Sequence, residues 1–352
     1  MAGATAQRVR RDVGALVDRG GDVRELTLET ARIVARAVPF DAVCMLTLDP
    51  ATHLPTGEVV ENGLPPSAGP RLAEIEIGGQ DYNAFAALAR SRRRAASLSA
   101  ATNRDLDRSV RHSELRGPAG FGDELRVALV TDAALWGGLT LMRGADRPGF
   151  TPEDAQLLAS VSGRLAEGLR RAFLSAPVAG DGEPDAAGVV VLARDNSIAM
   201  TNAAADAWLD ELRESDALPP VVAGAAAQAR CTGDARARVR TAAGRWLLVS
   251  SSTLDGGTYT AVTIEPAGSQ ELAPLIAEAY GLTERERAVT ELVAQGLPTT
   301  AIAGRLHVSP WTVQDHLKSI FDRVGVSTRG ELVARVFFDH FAPRLARHAN
   351  TS

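Results

Sequence analysis

The stretch that decides the fold is LTERERAVTELVAQGLPTTAIAGRLHVSPWTVQDHLKSIFDRVGVSTR, residues 282–329. Thr283 precedes a helical run and Glu286 follows three places later, the spacing in which hydroxyl and carboxylate cap each other's backbone donors. Ala288, Val289, Leu292 and Val293 then give that first helix one apolar face, and Gly296 releases the chain. A second helix is predicted to start at Pro298, burying Ile302 and Leu306, and to end at a tight corner of His307 and Val308. Ser309 followed by Pro310 reads as an N-cap with proline at the first helical position, opening a third helix to Val324.

That third helix has two differently dressed sides. Val313, Leu317, Ile320 and Val324 fall at i, i+4, i+7 and i+11, a stripe that must face a core. Trp311, Gln314, Asp315 and Lys318 fall at i, i+3, i+4 and i+7 on another side. A helix of this diameter fits the major groove of B-DNA, where Gln314 can read adenine, Lys318 can meet guanine or a phosphate, and Asp315 can accept from a cytosine amino group or repel a phosphate.

Leu282, Thr283, Arg285, Glu286, Val289, Gly296, Ile302, Ala303, Leu306, Ser309, Thr312, Val313, His316, Ile320, Val324, Val326 and Arg329 stand in a spacing that resembles the LuxR-type DNA-binding domain. The resemblance implies that Gln314, Asp315 and Lys318 enter the groove, and Trp311, Thr312 and Arg329 are expected to contact DNA with them. One departure is that Thr299 stands where that family usually has Asn, between the first two helices. Ser327 is expected to cap a last helix running through Phe341, which carries Leu332, Val333, Val336 and Phe337 on one flank. Part of that flank covers the core, and the remainder suits a second copy of the chain.

Working outward, 352 residues allow two or three domains, and a net charge of -5 requires any DNA-binding surface to be local. Lys318 is the only lysine. A P-loop and a protein kinase each need a lysine on their phosphates, so neither is encoded upstream of it, and residues 1–317 do not resemble a phosphoacceptor receiver domain. Cys44 and Cys231 have neither metal nor redox spacing. Cys44 reads as a small hydrophobe on a strand, and His53 and His112 as solvated loop residues. With no apolar run behind the N-terminal arginines and no stretch approaching the ~20 apolar residues of a membrane span, a cytoplasmic protein with no membrane partner is expected.

Residues 20–174 carry a helix ending at Pro39, a strand at 43–46, a helix at 82–89, two strands at 125–130 and 135–142 joined by a turn at Thr131 and Asp132, and a closing helix from Pro152. This order, together with the segment RGPAGFGDELR at 116–126, resembles a GAF domain, which implies a sheet and helices that often enclose a small ligand. Residues 175–185 read as a linker. Beyond it, strands at 189–192 and 198–201, a helix capped by Asn202, and strands at 237–241, 246–252 and 259–264 resemble the order of a PAS domain, placed at 186–267. No histidine falls between 175 and 300 to hold a haem, Cys231 lacks a flavin-attachment motif, and Trp208 and Trp246 read as core.

The expected architecture is therefore α+β sensory domains, GAF-like then PAS-like, followed by an all-α four-helix LuxR-type helix-turn-helix domain at 273–345. The expected function is sequence-specific transcriptional regulation without enzymatic activity, catalytic residues, metal or cofactor. Its partners are double-stranded DNA, a second copy, RNA polymerase and a small molecule in the GAF-like domain. Two competing readings are weaker. A sigma-like factor would need aromatic, basic melting helices that the upstream chain lacks, and a redox enzyme on the GAF fold would need more cysteines than Cys44.

Overall fold

The computed structural model describes residues 2–175, 186–213 and 216–338. They form two compact units, one of residues 2–175 with 186–213 and 216–266 and a second of residues 267–338.

The first unit holds two antiparallel five-stranded sheets. In chain order its elements are α1 (Ala2–Arg19), α2 (Val23–Ala35), β1 (Ala42–Leu48), β2 (Pro55–Glu61), α3 (Gly69–Gly78), α4 (Phe85–Arg90), β3 (Ala95–Ser97), α5 (Leu98–Ala101), β4 (Phe121–Thr131), β5 (Ala134–Gly144) and α6 (Pro152–Ser175). The first sheet runs β2-β1-β5-β4-β3. Two consecutive glycines let helices close on both of its faces. A Cβ on Gly137 would stand 2.4 Å from Leu169 of α6, and one on Gly138 would stand 2.4 Å from the Phe85 ring of α4. The β4–β5 turn falls one residue later than the sequence suggests, at Asp132 and Ala133, both with positive φ, a two-residue hairpin whose twist suits the strands.

Among the elements that escaped the sequence reading are four around the first sheet. Helix α1 buries Val9, Val13, Leu16 and Val17. Strand β2 begins on a proline and contains Gly57, residues that weaken a strand signal and are tolerated at an edge. Helix α3 and the short β3 are the other two. His112 is a correction: it is buried, because the helical turn His112–Arg116 is held down by Arg111 and Arg116, both paired with Glu124.

The second sheet follows, with β6 (Gly188–Ala193), β7 (Ile198–Thr201), α7 (Ala203–Leu212), α8 (Pro220–Thr232), β8 (Asp234–Arg240), β9 (Trp246–Leu254) and β10 (Tyr259–Pro266). Its order β7-β6-β10-β9-β8 repeats the permutation of the first sheet. Asn202 caps α7 through the Ala205 amide, as its sequence position requires. Helix α8 was not foreseen, because it is buried on nearly all sides and so has no polar face to give it a period. Trp208 and Trp246 are both core residues.

The two sheets share a seam. Leu54, from the loop between β1 and β2, inserts into the core of the second sheet among Trp208, Val221 and Val222. Gly224 of α8 admits that loop: a Cβ there would stand 2.6 Å from the Pro55 ring. Asp49, fully buried, accepts from the Arg238 amide at 3.0 Å and from its guanidinium Nε and Nη2 at 2.9 and 2.6 Å. Arg230 of α8 reaches Glu74 of α3 at 3.1 Å.

The second unit is helical among the described residues: α9 (Ser269–Ala279), α10 (Glu284–Ala294), α11 (Thr299–Leu306), α12 (Pro310–Val324) and α13 (Arg329–Val333), the last continued by a wider turn over Ala334–Phe338. Pro298 caps α11 instead of opening it, and the cap of α13 is Thr328, not Ser327, because its hydroxyl accepts from the Glu331 amide. Phe341 lies outside the described residues.

Candidate nucleic-acid interface

The interface is built upward from two caps. Thr283 and Glu286 form the reciprocal pair expected at the start of α10: the Glu286 amide donates to the Thr283 hydroxyl, and the Thr283 amide donates to Glu286 Oε2 at 2.8 Å. At the start of α12 the Ser309 hydroxyl accepts from the Thr312 amide at 3.0 Å and lies 2.8 Å from the Thr312 hydroxyl. Between them His307, in the left-handed region with φ 55°, makes the corner that ends α11. Gly325, with φ 72°, ends α12.

Glu286 has a second role that its spacing did not reveal. Its Oε1 accepts from the Ser319 hydroxyl of α12 at 2.6 Å, and Arg323 Nε stands 3.7 Å away. Burial raises the pKa of this carboxyl, but the hydrogen bonds from Ser319 and Thr283 and the positive charge of Arg323 outweigh it and hold the group below its ordinary value. One carboxylate thus caps the first helix and ties it to the third. Arg323 Nη1 also donates to the Gly281 carbonyl at 2.6 Å.

With that scaffold fixed, α12 has the two sides expected of it. Val313, Leu317, Ile320 and Val324 are all buried. Trp311, Gln314, Asp315 and Lys318 are exposed, Trp311 to 71 %, the most of any large apolar side chain described. Thr312 is half-buried at the cap.

Gln314, Lys318 and Arg329 line one shallow depression with Thr299, Asp322 and Thr328, whereas Trp311 and Asp315 lie outside it. Arg329 is half-buried and engaged: it donates to the Leu297 carbonyl at 3.0 Å and to the Thr299 hydroxyl at 2.7 Å. The threonine that departs from the family pattern therefore supplies a polar contact at the turn.

The comparisons match two parts of the chain. Residues 281–336 match the family of bacterial regulatory proteins of the luxR type, and residues 22–169 match the GAF domain. Over 56 residues, 16% of this chain and 29% of the other protein, the C-terminal part is 45% identical to the transcriptional regulatory protein UhpA of Escherichia coli (strain K12). Over 53 residues, 15% of this chain and 24% of the other protein, it is 42% identical to the probable transcriptional regulatory protein NarL of Mycobacterium tuberculosis (strain ATCC 25618 / H37Rv). The chain spans less than a third of the length of these relatives. Residues 281–336 are thus a LuxR-type helix-turn-helix domain, preceded by a GAF domain at 22–169. Among the described residues, no helix is long and apolar enough to cross a membrane.

Proposed function

We propose that this protein is a cytoplasmic, sequence-specific transcriptional regulator without enzymatic activity, in which the GAF domain and a PAS-like domain at 186–267 bias a dimeric DNA reader. The observation that carries this reading is α12, whose apolar stripe is fully packed while Trp311, Gln314, Asp315 and Lys318 stand in solvent. The major groove of B-DNA takes a helix of this diameter, with the side chains of one face turned to the base edges.

Gln314 reads a base edge, most naturally adenine through its amide, and Asp315 discriminates by accepting from cytosine or by repelling a misplaced phosphate. Lys318 meets a phosphate or guanine one turn further on. Thr312 sits at the positive end of the helix, where its hydroxyl can reach a phosphate. Arg329 holds the turn through Leu297 and Thr299 and borders the same depression as Gln314 and Lys318, so its contribution is to position that turn against the backbone. The two-copy arrangement and contact with RNA polymerase follow from how small readers of this type gain affinity and act at promoters. The order of the second sheet, with α7 and α8 on it, supports the PAS-like reading.

The test is selection of bound duplexes from a random pool by the full chain and by Gln314→Ala. A motif is expected from the first, and a changed preference at one base position from the second. Failure of the full chain to enrich any motif at low ionic strength would remove the proposal.

A further inference from the structure

Of the 38 basic side chains in this protein, 37 are arginine and one is lysine, Lys318. A guanidinium, with an ordinary pKa above about 12, stays protonated and is no nucleophile, whereas an ammonium gives up its proton far more readily and then attacks a carbonyl carbon. A reagent that acylates amines therefore finds a single side chain here, and that side chain stands on the exposed side of α12.

The surroundings of Lys318 suit one class of acyl donor. Its ammonium is exposed and has no hydrogen-bond or ion-pair partner among the described residues. The depression it lines also holds Arg329 and Asp322, so two cations face one carboxylate and the lining carries a net +1, in a chain whose net charge is -5. Arg329 cannot swing away, because the Leu297 carbonyl at 3.0 Å and the Thr299 hydroxyl at 2.7 Å hold its guanidinium. A fixed positive charge beside a free amine draws in a donor whose leaving group is an anion.

We propose that Lys318 is an acylation site for acyl phosphates, that Arg329 is the positioning residue for their phosphate, and that acylation weakens the reading face of α12. The deprotonated Nζ attacks the carbonyl carbon, the N–C bond forms, and the C–O bond to phosphate breaks with its electron pair leaving on inorganic phosphate. The surplus amine proton passes to solvent, and the product is a neutral amide. The loss of one phosphate contact lowers DNA affinity about fivefold per copy at about 0.15 M salt. This last consequence rests on the DNA-reading role of α12; the acylation does not.

The experiment treats the full chain with millimolar acetyl phosphate and, separately, with the uncharged N-hydroxysuccinimide ester of acetate. Tryptic peptide 306–323, left uncut at Lys318, reports the modification, and Nα-acetyl-lysine amide serves as the model amine. Relative to that amine, acetyl phosphate is expected to react about fivefold faster at Lys318 at low ionic strength, and the ester no faster. Arg329→Gln should remove the advantage with acetyl phosphate and leave the ester rate unchanged. If a thermal melt shows that Arg329→Gln is unfolded, the fall of the acetyl phosphate rate with salt in the unsubstituted chain decides instead. Fluorescence anisotropy should show weaker DNA binding after acetylation, whereas Lys318→Arg, which keeps the charge, should lose no affinity on the same treatment. No rate advantage over the model amine, an advantage that survives Arg329→Gln or high salt, or equal DNA binding before and after acetylation overturns the proposal. Failure of the untreated chain to bind any duplex defeats the reading of α12 itself, and the rate comparisons still decide whether Lys318 is the acylation site.

Discussion

Glu286 is the most informative residue to remove, because two of its carboxylate contacts serve different helices. In Glu286→Ala the Thr283 amide loses its acceptor, a lost cap of about 1 kcal/mol. The Ser319 hydroxyl loses a charge-assisted bond made at 2.6 Å, about 1.5–3 kcal/mol. The Arg323 pair, at 3.7 Å with the arginine largely in solvent, adds little. Together the loss is about 2.5–4 kcal/mol, a large fraction of what a small domain has. Glu286→Gln keeps the shape and the reciprocal cap, since glutamine serves at that position, and loses only the charge, for about 1 kcal/mol. The carboxyl is held below its ordinary value in the folded chain, so its contribution is present above the unfolded pKa of about 4.3 and is lost as pH falls through the folded value. Wild type and Glu286→Gln should therefore converge in acid. Native-state hydrogen exchange of amides in α10 and α12 reads the opening free energy of this unit within the full chain. An alanine effect under about 0.5 kcal/mol, or equal effects of alanine and glutamine, would refute the argument that this carboxylate joins the two helices.

Three further outcomes follow from named contacts. Lys318→Ala should weaken DNA binding and lower the slope of log affinity against log salt by about 0.9 per copy if the ammonium meets a phosphate, measured by fluorescence anisotropy across salt concentrations. Leu54→Ala should cost about 2–5 kcal/mol, because it empties a site inside the second sheet's core and detaches the hairpin that crosses the seam; urea titration of the full chain measures it, and a cost below about 1 kcal/mol would show that the loop does not hold the sheets together. Desolvation, with Glu58 adding to it, pushes the half-buried Cys44 thiol up to about 12, so at pH 8 a disulfide reagent should consume the exposed Cys231 quickly and Cys44 much more slowly. Two fast equivalents would contradict that raised value.

What the sequence disclosed, it disclosed through local chemistry. The capping pair at Thr283, the Ser-Pro start of α12 and the left-handed corner at His307 are each set within a few residues, and the structure forms them there. Strands β4, β5, β6 and β10 were legible for the same reason, as apolar runs between turn residues. Elements defined by tertiary contacts were not. Helix α8 is buried on nearly all sides because α3, β2 and the second sheet cover it, β2 is a strand only because β1 lies beside it, and the partners of Glu286 and Arg126 lie 33 and 50 residues away. Helix α1 is the exception, for Val9, Val13, Leu16 and Val17 carried a helical period that went unread.

The charge distribution of the second unit bears on how many copies must act together. Of its described cations, Arg287 pairs with Glu278, Arg323 is engaged with Gly281 and Glu286, and Arg329 holds the turn. Arg285, Arg305, Lys318 and Arg335 are exposed; the first three lie on α10, α11 and α12, and of them only Lys318 lies on α12. Three phosphate contacts give a salt slope of about -2.7, well short of the steep dependence shown by proteins that bind tightly through six to ten contacts. On the proposed reading, direct base contacts by Gln314 and Asp315 would add specificity at about 1–3 kcal/mol for each well-made pair, lifting one site over its neighbours without making the complex tight. Two readers held together convert the second docking into an intramolecular step, multiplying affinity with no new cation on either helix. A reader with so few exposed cations among its described residues gains by acting in pairs, and a measured slope near twice the single-copy value is the electrostatic mark of such a pair.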